Sequence, residues 1–358
     1  MKFLKMYDAI DMHCGEPIRV ITGGSGLATI PGNSVYEQMC WVREHNDDIR
    51  KLMINEPRGY PPVCVDLIVP PKHPDADIGF IIMEPCSYPM VSGGNVGCVV
   101  TAVLETGILP MKQPYTDLVL EAPGGLIRVR AACTETKVTG VTFTNVPCIA
   151  PYLDTKIQVP GIGEVVVDVA FGGMWYVHAD IGQFEGIDLE PKYAKKLGEL
   201  SARLILAAQE QLSVKHPELE DPEDNKVIIS FLTKALDEKT PSRHCVNAVG
   251  MLSFPDELSW DRPETLSCTL ARDACGSGGS AMMAIEYFKG NLGLHEEYIN
   301  ESMLGISNTL EIIEKTKLGN QDAIIPNLTM QAWITGFSKY VLDETDPFPE
   351  GYQMGDIW

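Results

Sequence analysis

Apolar positions in this chain fall into short runs rather than long blocks. Pro17-Ile18-Arg19-Val20-Ile21 reads as a strand running into a loop at Thr22-Gly23-Gly24, with the loop reaching residue 30. From Ser34 to Met53 apolar residues recur at helical spacing, with Glu37, Arg43 and Asp47 at polar positions, which predicts one helix. Pro61 to Val69 and Ile78 to Met83 read as strands joined by the turn-rich Pro70-Pro71-Lys72-His73-Pro74-Asp75. Between Thr116 and Val146 the pattern is β-rich, and Gly124-Gly125 marks a hairpin. Val165 to Phe171 is a strand ending in Gly172-Gly173, and Tyr193 to Leu212 is an amphipathic helix stopping before Pro217. The acidic, proline-containing stretch 217–226 reads as an exposed loop. Strands resume at Val227 to Leu232 and Asn247 to Phe254, and Ala332-Trp333-Ile334-Thr335-Gly336 opens a last one. Many short strands without a clean βαβα alternation predict an α+β fold rather than a doubly wound sheet.

Two stretches share one plan. Ser92-Gly93-Gly94-Asn95 leads into the apolar run Val99 to Thr106 and stops at Gly107. Cys275-Gly276-Ser277-Gly278-Gly279-Ser280 leads into Ala281 to Phe288 and stops at Gly290. Nucleophile to closing glycine is 15 positions in both (92 to 107, 275 to 290). Each pairs a hydroxyl or thiol with small residues at a helix N-terminus, where unpaired N–H groups and the dipole stabilise a thiolate and attract a carboxylate. The plan predicts two half-sites that clamp one carboxylate and put a proton-transfer group on each side of a carbon. The plainer alternative is a tight glycine turn with a buried thiol. A phosphate nest is poorly supported, since neither GxxxxGK[ST] nor GxGxxG occurs.

Composition narrows the class. At 358 residues the chain exceeds the size of one growing core, so two domains are expected. A formal charge of −21 and a pI of about 4.7 disfavour a nucleic-acid partner and fit a cytoplasmic protein. Mean hydropathy near zero and the lack of a long apolar run argue against a membrane span, and Met1 to Asp8 lacks the apolar stretch of a signal peptide. Ten cysteines occur without a CxxC and are read as reduced thiols, mostly buried. The seven histidines show no HExxH or paired metal spacing, so no metal site is expected. His244-Cys245 has the residue types of a catalytic pair, but neighbours in a strand point to opposite faces.

The motifs together resemble the proline racemase superfamily, which includes proline racemases, hydroxyproline epimerases and trans-3-hydroxy-L-proline dehydratases. Carrying the resemblance are Asp11 to Val20, His73-Pro74-Asp75-Ala76-Asp77-Ile78-Gly79-Phe80, Ser92-Gly93 through Leu104-Glu105-Thr106-Gly107, Arg272 to Ser280, Ala332 to Gly336 and Asp346-Pro347-Phe348-Pro349-Glu350-Gly351. It implies two pseudo-symmetric α/β lobes of the proline racemase and diaminopimelate epimerase type, 1–150 with 331–358 and 151–330. Each lobe has a central helix, and the active site lies in the cleft between them. It also implies a cofactor-independent homodimer acting at the α-carbon of a proline-like imino acid.

Most racemases and epimerases of the family carry cysteine at both catalytic positions, and this chain has Ser92 and Cys275. A serine hydroxyl is a poor general base, so symmetric two-base racemisation should suffer. One base suffices for dehydration: Cys275 removes the α-proton, the 3-hydroxyl leaves, and Ser92 hydrogen-bonds or helps protonate the departing oxygen. The leading expectation is trans-3-hydroxy-L-proline dehydratase, giving Δ1-pyrroline-2-carboxylate, with 4-hydroxyproline 2-epimerase or proline racemase as the alternative. Expected substrate contacts are Gly93, Gly94, Asn95, Gly276, Ser277, Asp273 and Asp180. The chain departs from the family pattern at Gly94 (usually histidine), Ala271 (usually the acidic residue on the substrate amine) and Ala274 (usually proline). Those departures motivate a third reading, a member that binds a small carboxylate without turnover or acts on a non-proline substrate.

Overall fold

The computed structural model describes residues 4–27, 29–85, 87–219, 225–236, 243–253 and 257–354. Met1 to Phe3, Cys86, residues 220–224 of the acidic stretch and Phe254 lie outside the described residues. In chain order the elements begin β1 (Lys5–His13), β2 (Pro17–Gly23), α1 (Val35–His45), α2 (Asp48–Ile54), β3 (Cys64–Val69), β4 (Ile78–Met83) and α3 (Gly93–Glu105). They continue with β5 (Tyr115–Ala122), β6 (Gly125–Cys133), β7 (Val138–Thr144), β8 (Ile149–Val159), β9 (Gly163–Phe171), β10 (Trp175–Asp180), α4 (Ala194–Gln211), β11 (Val227–Ala235) and β12 (His244–Leu252). The last are β13 (Cys268–Leu270), α5 (Gly276–Phe288), β14 (Glu297–Ser302), β15 (Ser307–Leu318), β16 (Gln321–Met330) and β17 (Trp333–Leu342). The fold is α+β.

The chain divides into two compact units, Met1–Phe143 with Met330–Trp358, and Thr144–Thr329. Strand pairing reveals a repeat. In the first unit the order is β17-β1-β2-β3-β4-β5-β6-β7, with parallel pairing only for β2–β3 and β4–β5. In the second it is β8-β9-β10-β11-β12-β14-β15-β16, with parallel pairing only for β10–β11 and β12–β14. The short β13 pairs the other end of β12. Each parallel pair needs a crossover connection. The first is α1–α2 or α4, and the second is α3 or α5.

Two kinds of helix cover each set of strands. Val35, Met39, Val42, Ile49, Leu52 and Met53 pack on Val65, Leu67, Ile81 and Met83. Leu197, Leu204, Ile205 and Ala208 pack on Trp175, Val177, Val246 and Ala248. Side chains alternate across a strand, so the intervening residues of β3, β4, β10 and β12 point to the opposite face. That face carries α3 or α5, and both are buried nearly all round, α3 from Gly93 to Leu104 and α5 from Gly276 to Glu286. A helix apolar on every side is a core helix. α3 packs against β1, β2, β3 and β17, and α5 against β8, β9, β10, β14 and β15.

The single helix expected over Ser34–Met53 is two. Ser34 caps α1 by accepting the Glu37 N–H at 3.1 Å. Asn46 stops it at φ −146°, returning its N–H to Val42 at 2.8 Å. The carboxylate of Asp47, read as a polar mid-helix position, instead takes Arg50 at 2.7 Å and Tyr88 at 2.5 Å. Local side-chain bonding here outweighs the periodic pattern.

Candidate active site

The small residues after each nucleophile are not a loop. Gly93, Gly94 and Asn95 form the first turn of α3, and Gly276 to Ser280 open α5. Ser92 and Cys275 are the two N-caps. The N–H groups of Gly93, Gly94, Gly276 and Ser277 therefore occupy positions where a helix offers no internal acceptor. Further along α5 the glycines serve packing, which corrects the expectation that they cradle a ligand. A Cβ on Gly278 would lie 2.5 Å from the Phe231 ring, and one on Gly279 would lie 2.7 Å from the Asn300 amide. Gly172 ends its strand for the same reason: a Cβ there would sit 2.2 Å from the Ser277 carbonyl oxygen.

Cys275 is half-buried and adopts φ +52°, ψ 93°, a region that costs a non-glycine residue about 1–3 kcal/mol. Two fully buried amides hold the turn. Asn300 donates to the carbonyls of Ala274 and, at 3.2 Å, Cys275. Asn247 donates to the Ala274 carbonyl at 3.2 Å and to Asn300 Oδ1 at 2.7 Å. The sulfur receives the Gly278 N–H at 3.4 Å. It also lies 3.5 Å from the hydroxyl of buried Tyr176, which is 2.7 Å from Ser277 Oγ. Ser277 therefore directs its side chain to Tyr176 and leaves only its backbone N–H for a substrate.

The expected lowering of the Cys275 thiol by the helix N-terminus is reversed. Desolvation pushes it up, to about 12, the Asp273 carboxylate adds to the rise, and the bonds from Tyr176, Gly278 and Ser277 only partly oppose it. Asp273, also half-buried, is itself raised to about 6 by burial, against the backbone N–H bonds it accepts. The resting group is therefore a thiol.

Ser92 differs. Its backbone is extended at φ −139°, ψ 124°, and its hydroxyl makes no cap bond to the helix. Instead Ser92 Oγ accepts from Asn95 Nδ2 at 2.8 Å, and the same nitrogen donates to Glu84 Oε1 at 3.1 Å. Asn95 is 1% exposed. The substrate contact expected of its side chain is thus corrected: both amide hydrogens are directed into the protein.

Asp180 lies at the end of β10, exposed, where its carboxylate accepts the Gly182 N–H at 2.6 Å. That end is about 13 Å along the strand from Tyr176. Its charge is felt at Cys245, whereas the carboxylate felt at Cys275 is that of Asp273. His244 faces Glu301 at 3.2 Å while Cys245 is buried, so the adjacent pair does not converge. No group of three or more potential metal ligands clusters among the described residues. Nor is any described helix long and apolar enough to cross a membrane. None of the nine described cysteines is in a disulfide.

Comparison with known proteins places this geometry in a family. The family model described as proline racemase matches residues 9–353. The chain belongs to the proline racemase family. Within it, the chain is similar to a crystal structure of a probable proline racemase from Agrobacterium radiobacter K84 with bound carbonate. The two are 31% identical with a TM-score of 0.86, over 98% of each chain. It is also similar to a hydroxyproline epimerase from Agrobacterium vitis with bound trans-4-hydroxy-L-proline, at 29% identity and a TM-score of 0.87. That match covers 100% of this chain and 98% of the other. A PhzF-family phenazine biosynthesis protein from Bacillus anthracis shares the fold alone, at 12% identity and a TM-score of 0.54, over 95% of this chain and 99% of that one.

Of the residues expected from the sequence, the structure places Ser92 and Cys275 at helix N-caps and Asp273 beside Cys275. Sequence reasoning missed Tyr176, Asn247, Asn300 and Glu84, which stand at distances of 8 to 99 positions from the nucleophiles they serve (84 to 92, 176 to 275). The signal available for them was polar residues inside otherwise apolar strands, as in Cys245-Val246-Asn247-Ala248-Val249 and Tyr298-Ile299-Asn300.

Proposed function

We propose that this family member dehydrates trans-3-hydroxy-L-proline to Δ1-pyrroline-2-carboxylate, without a cofactor. The reading is carried by one observation, the unequal chemistry of Ser92 and Cys275. A carboxylate of the imino acid suits the first-turn N–H groups of Gly276 and Ser277, beside Cys275. Its cationic nitrogen suits Asp273, in place of the acidic residue that Ala271 lacks. A cation beside Asp273 also lowers the Cys275 thiol, since opposite charge nearby favours the ionised form. Cys275 then takes the α-proton, the electron pair resting first on Cα and its carboxylate as a carbanion to which the proton can return, and that pair then forms the Cα=C3 bond. The C3–O pair leaves with the oxygen, which takes a proton from Ser92 and departs as water. Proton transfer from nitrogen to C3 converts the enamine to Δ1-pyrroline-2-carboxylate. Proton return from Cys275 to Ser92 through solvent resets the enzyme.

A second reading, epimerisation or racemisation at Cα, is favoured by the likeness to the hydroxyproline epimerase with its bound trans-4-hydroxy-L-proline. There Ser92 delivers a proton to the opposite face of the carbon. Incubation with trans-3-hydroxy-L-proline, trans-4-hydroxy-L-proline and L-proline in heavy water separates the readings. Δ1-pyrroline-2-carboxylate from the first supports dehydration, and α-deuterated inverted product supports epimerisation. No exchange with any of the three sinks both and leaves a carboxylate-binding or non-proline member. A homodimer is also proposed, and sedimentation equilibrium tests it against the 39.3 kDa monomer mass.

A further inference from the structure

Behind Ser92 lies a buried line of carboxyl and amide side chains, where Cys275 is backed by the amides Asn247 and Asn300. On β3, Val65 and Leu67 pack towards α1 and α2, so Asp66 points to the α3 face. By the same alternation Ile82 and Glu84 share that face at the end of β4. Asp66 pairs with Ile82 across the antiparallel ladder, which makes Glu84 its diagonal neighbour on one face. Asp66 is 0% exposed and neither of its oxygens has a hydrogen-bond partner; Glu84 is 4% exposed. Burial, reinforced by the Glu84 carboxylate, raises Asp66 well above the ordinary carboxyl range.

Glu84 Oε1 accepts one N–H of the Asn95 amide at 3.1 Å. The amide group is planar, so its second N–H is aimed at Ser92 Oγ. An oxygen already accepting from one side keeps its own hydrogen for another partner. Ser92 itself is half-buried and reachable.

We propose that Asn95, oriented by Glu84, is a positioning residue that holds Ser92 as a proton donor to the substrate and stabilises the oxygen once that proton has left. This inference rests on the proposed chemistry at Cα. It applies whether the proton goes to a leaving hydroxyl or to the opposite face of the carbon. It separates two events that ordinary structural damage would depress together: solvent exchange of the α-proton, which needs Cys275, and conversion, which also needs Ser92.

The test is the ratio of conversion to α-deuterium incorporation in recovered substrate, measured in heavy water. Trans-3-hydroxy-L-proline is used, or trans-4-hydroxy-L-proline if only that is turned over. Asn95→Ala is expected to lower the ratio about tenfold while exchange persists, equivalent to about 1.4 kcal/mol. Asn95→Asp, which offers Ser92 an acceptor in place of a donor, lowers it at least as far. Glu84→Gln, which keeps the shape, lowers it less and serves if Asn95→Ala does not fold. An unchanged ratio in a folded Asn95 or Glu84 variant overturns the inference while the functional reading stands. Wild-type protein without exchange or conversion overturns both.

Discussion

The two nucleophile helices are built alike and finished differently. Each has 13 residues, begins in glycine, and lies buried against strands of its own unit in the same pairing order. The N-cap of α3 keeps ordinary extended backbone and ties its hydroxyl to a side chain. The N-cap of α5 is forced into a left-handed turn, secured by Asn247 and Asn300, and its sulfur takes a helix N–H. A repeated scaffold thus supplies two anion-attracting helix ends, and a few polar residues on neighbouring strands decide what each end does. One end holds a thiol kept neutral by burial and the Asp273 charge, and the other holds a hydroxyl that accepts from the Asn95 amide.

The largest test of that inequality is exchange of nucleophiles. Cys275→Ser should lower α-proton exchange by roughly 10²–10⁴-fold, the usual worth of a positioned base. Ser92→Cys places a second thiol in the molecule and should raise inversion at Cα relative to elimination, read by chiral chromatography. Next, Asn247→Ala or Asn300→Ala removes one of the two buried amides that hold the Ala274 carbonyl and leaves the other amide short of a partner. Each should cost about 1–3 kcal/mol in denaturant unfolding and reduce kcat as the thiol loses its place.

The pH response sharpens the contrast at Cys275. Alkylation by iodoacetamide, corrected with Cys275→Ser for the other thiols, should be slow at neutral pH and keep rising beyond about pH 10, because only the thiolate reacts. Asp273→Asn removes a charge that raises the thiol, so the rise should start at lower pH, while KM for the imino acid increases. A smaller effect concerns His178, 2% exposed, with neither ring nitrogen hydrogen-bonded and its pKa lowered to about 3 by burial and the Lys289 charge. Its folded pKa lies below the unfolded value, so below about pH 6.5 the unfolded chain binds the extra proton. Stability should then fall by up to about 1.4 kcal/mol per pH unit. His178→Leu should flatten that acid slope in urea titrations.

Much of this was legible in the sequence because it depends on local pattern. The matched glycine-led helices, the hairpin at Gly124-Gly125 and the helix at 194–211 all follow from periodicity and punctuation. Strands β1, β8, β10, β13, β14, β15 and β16 went unread. β8, β14, β15 and β16 alternate apolar with polar residues and pair with the next strand in the chain, but they are rich in charged and amide residues and β8 and β16 carry Pro151 and Pro326, which weakens their strand signal. The site was legible only in part. Ser92 and Cys275 announce themselves through neighbouring glycines. Tyr176 reaches Cys275 through the β10–β11 parallel pairing, and Glu84 reaches Ser92 through Asn95. The upward shift of the thiol was hidden because a helix N-terminus is visible in sequence while desolvation is not.

The most direct test of the central claim, that Cys275 is the base and Ser92 the acid, is α-deuterium incorporation from heavy water into trans-3-hydroxy-L-proline. It is followed together with pyrroline formation in wild-type, Ser92→Ala and Cys275→Ser proteins. The account predicts that Ser92→Ala still incorporates deuterium while forming little pyrroline, and that Cys275→Ser does neither. Deuterium incorporation that survives in Cys275→Ser and disappears in Ser92→Ala would contradict it.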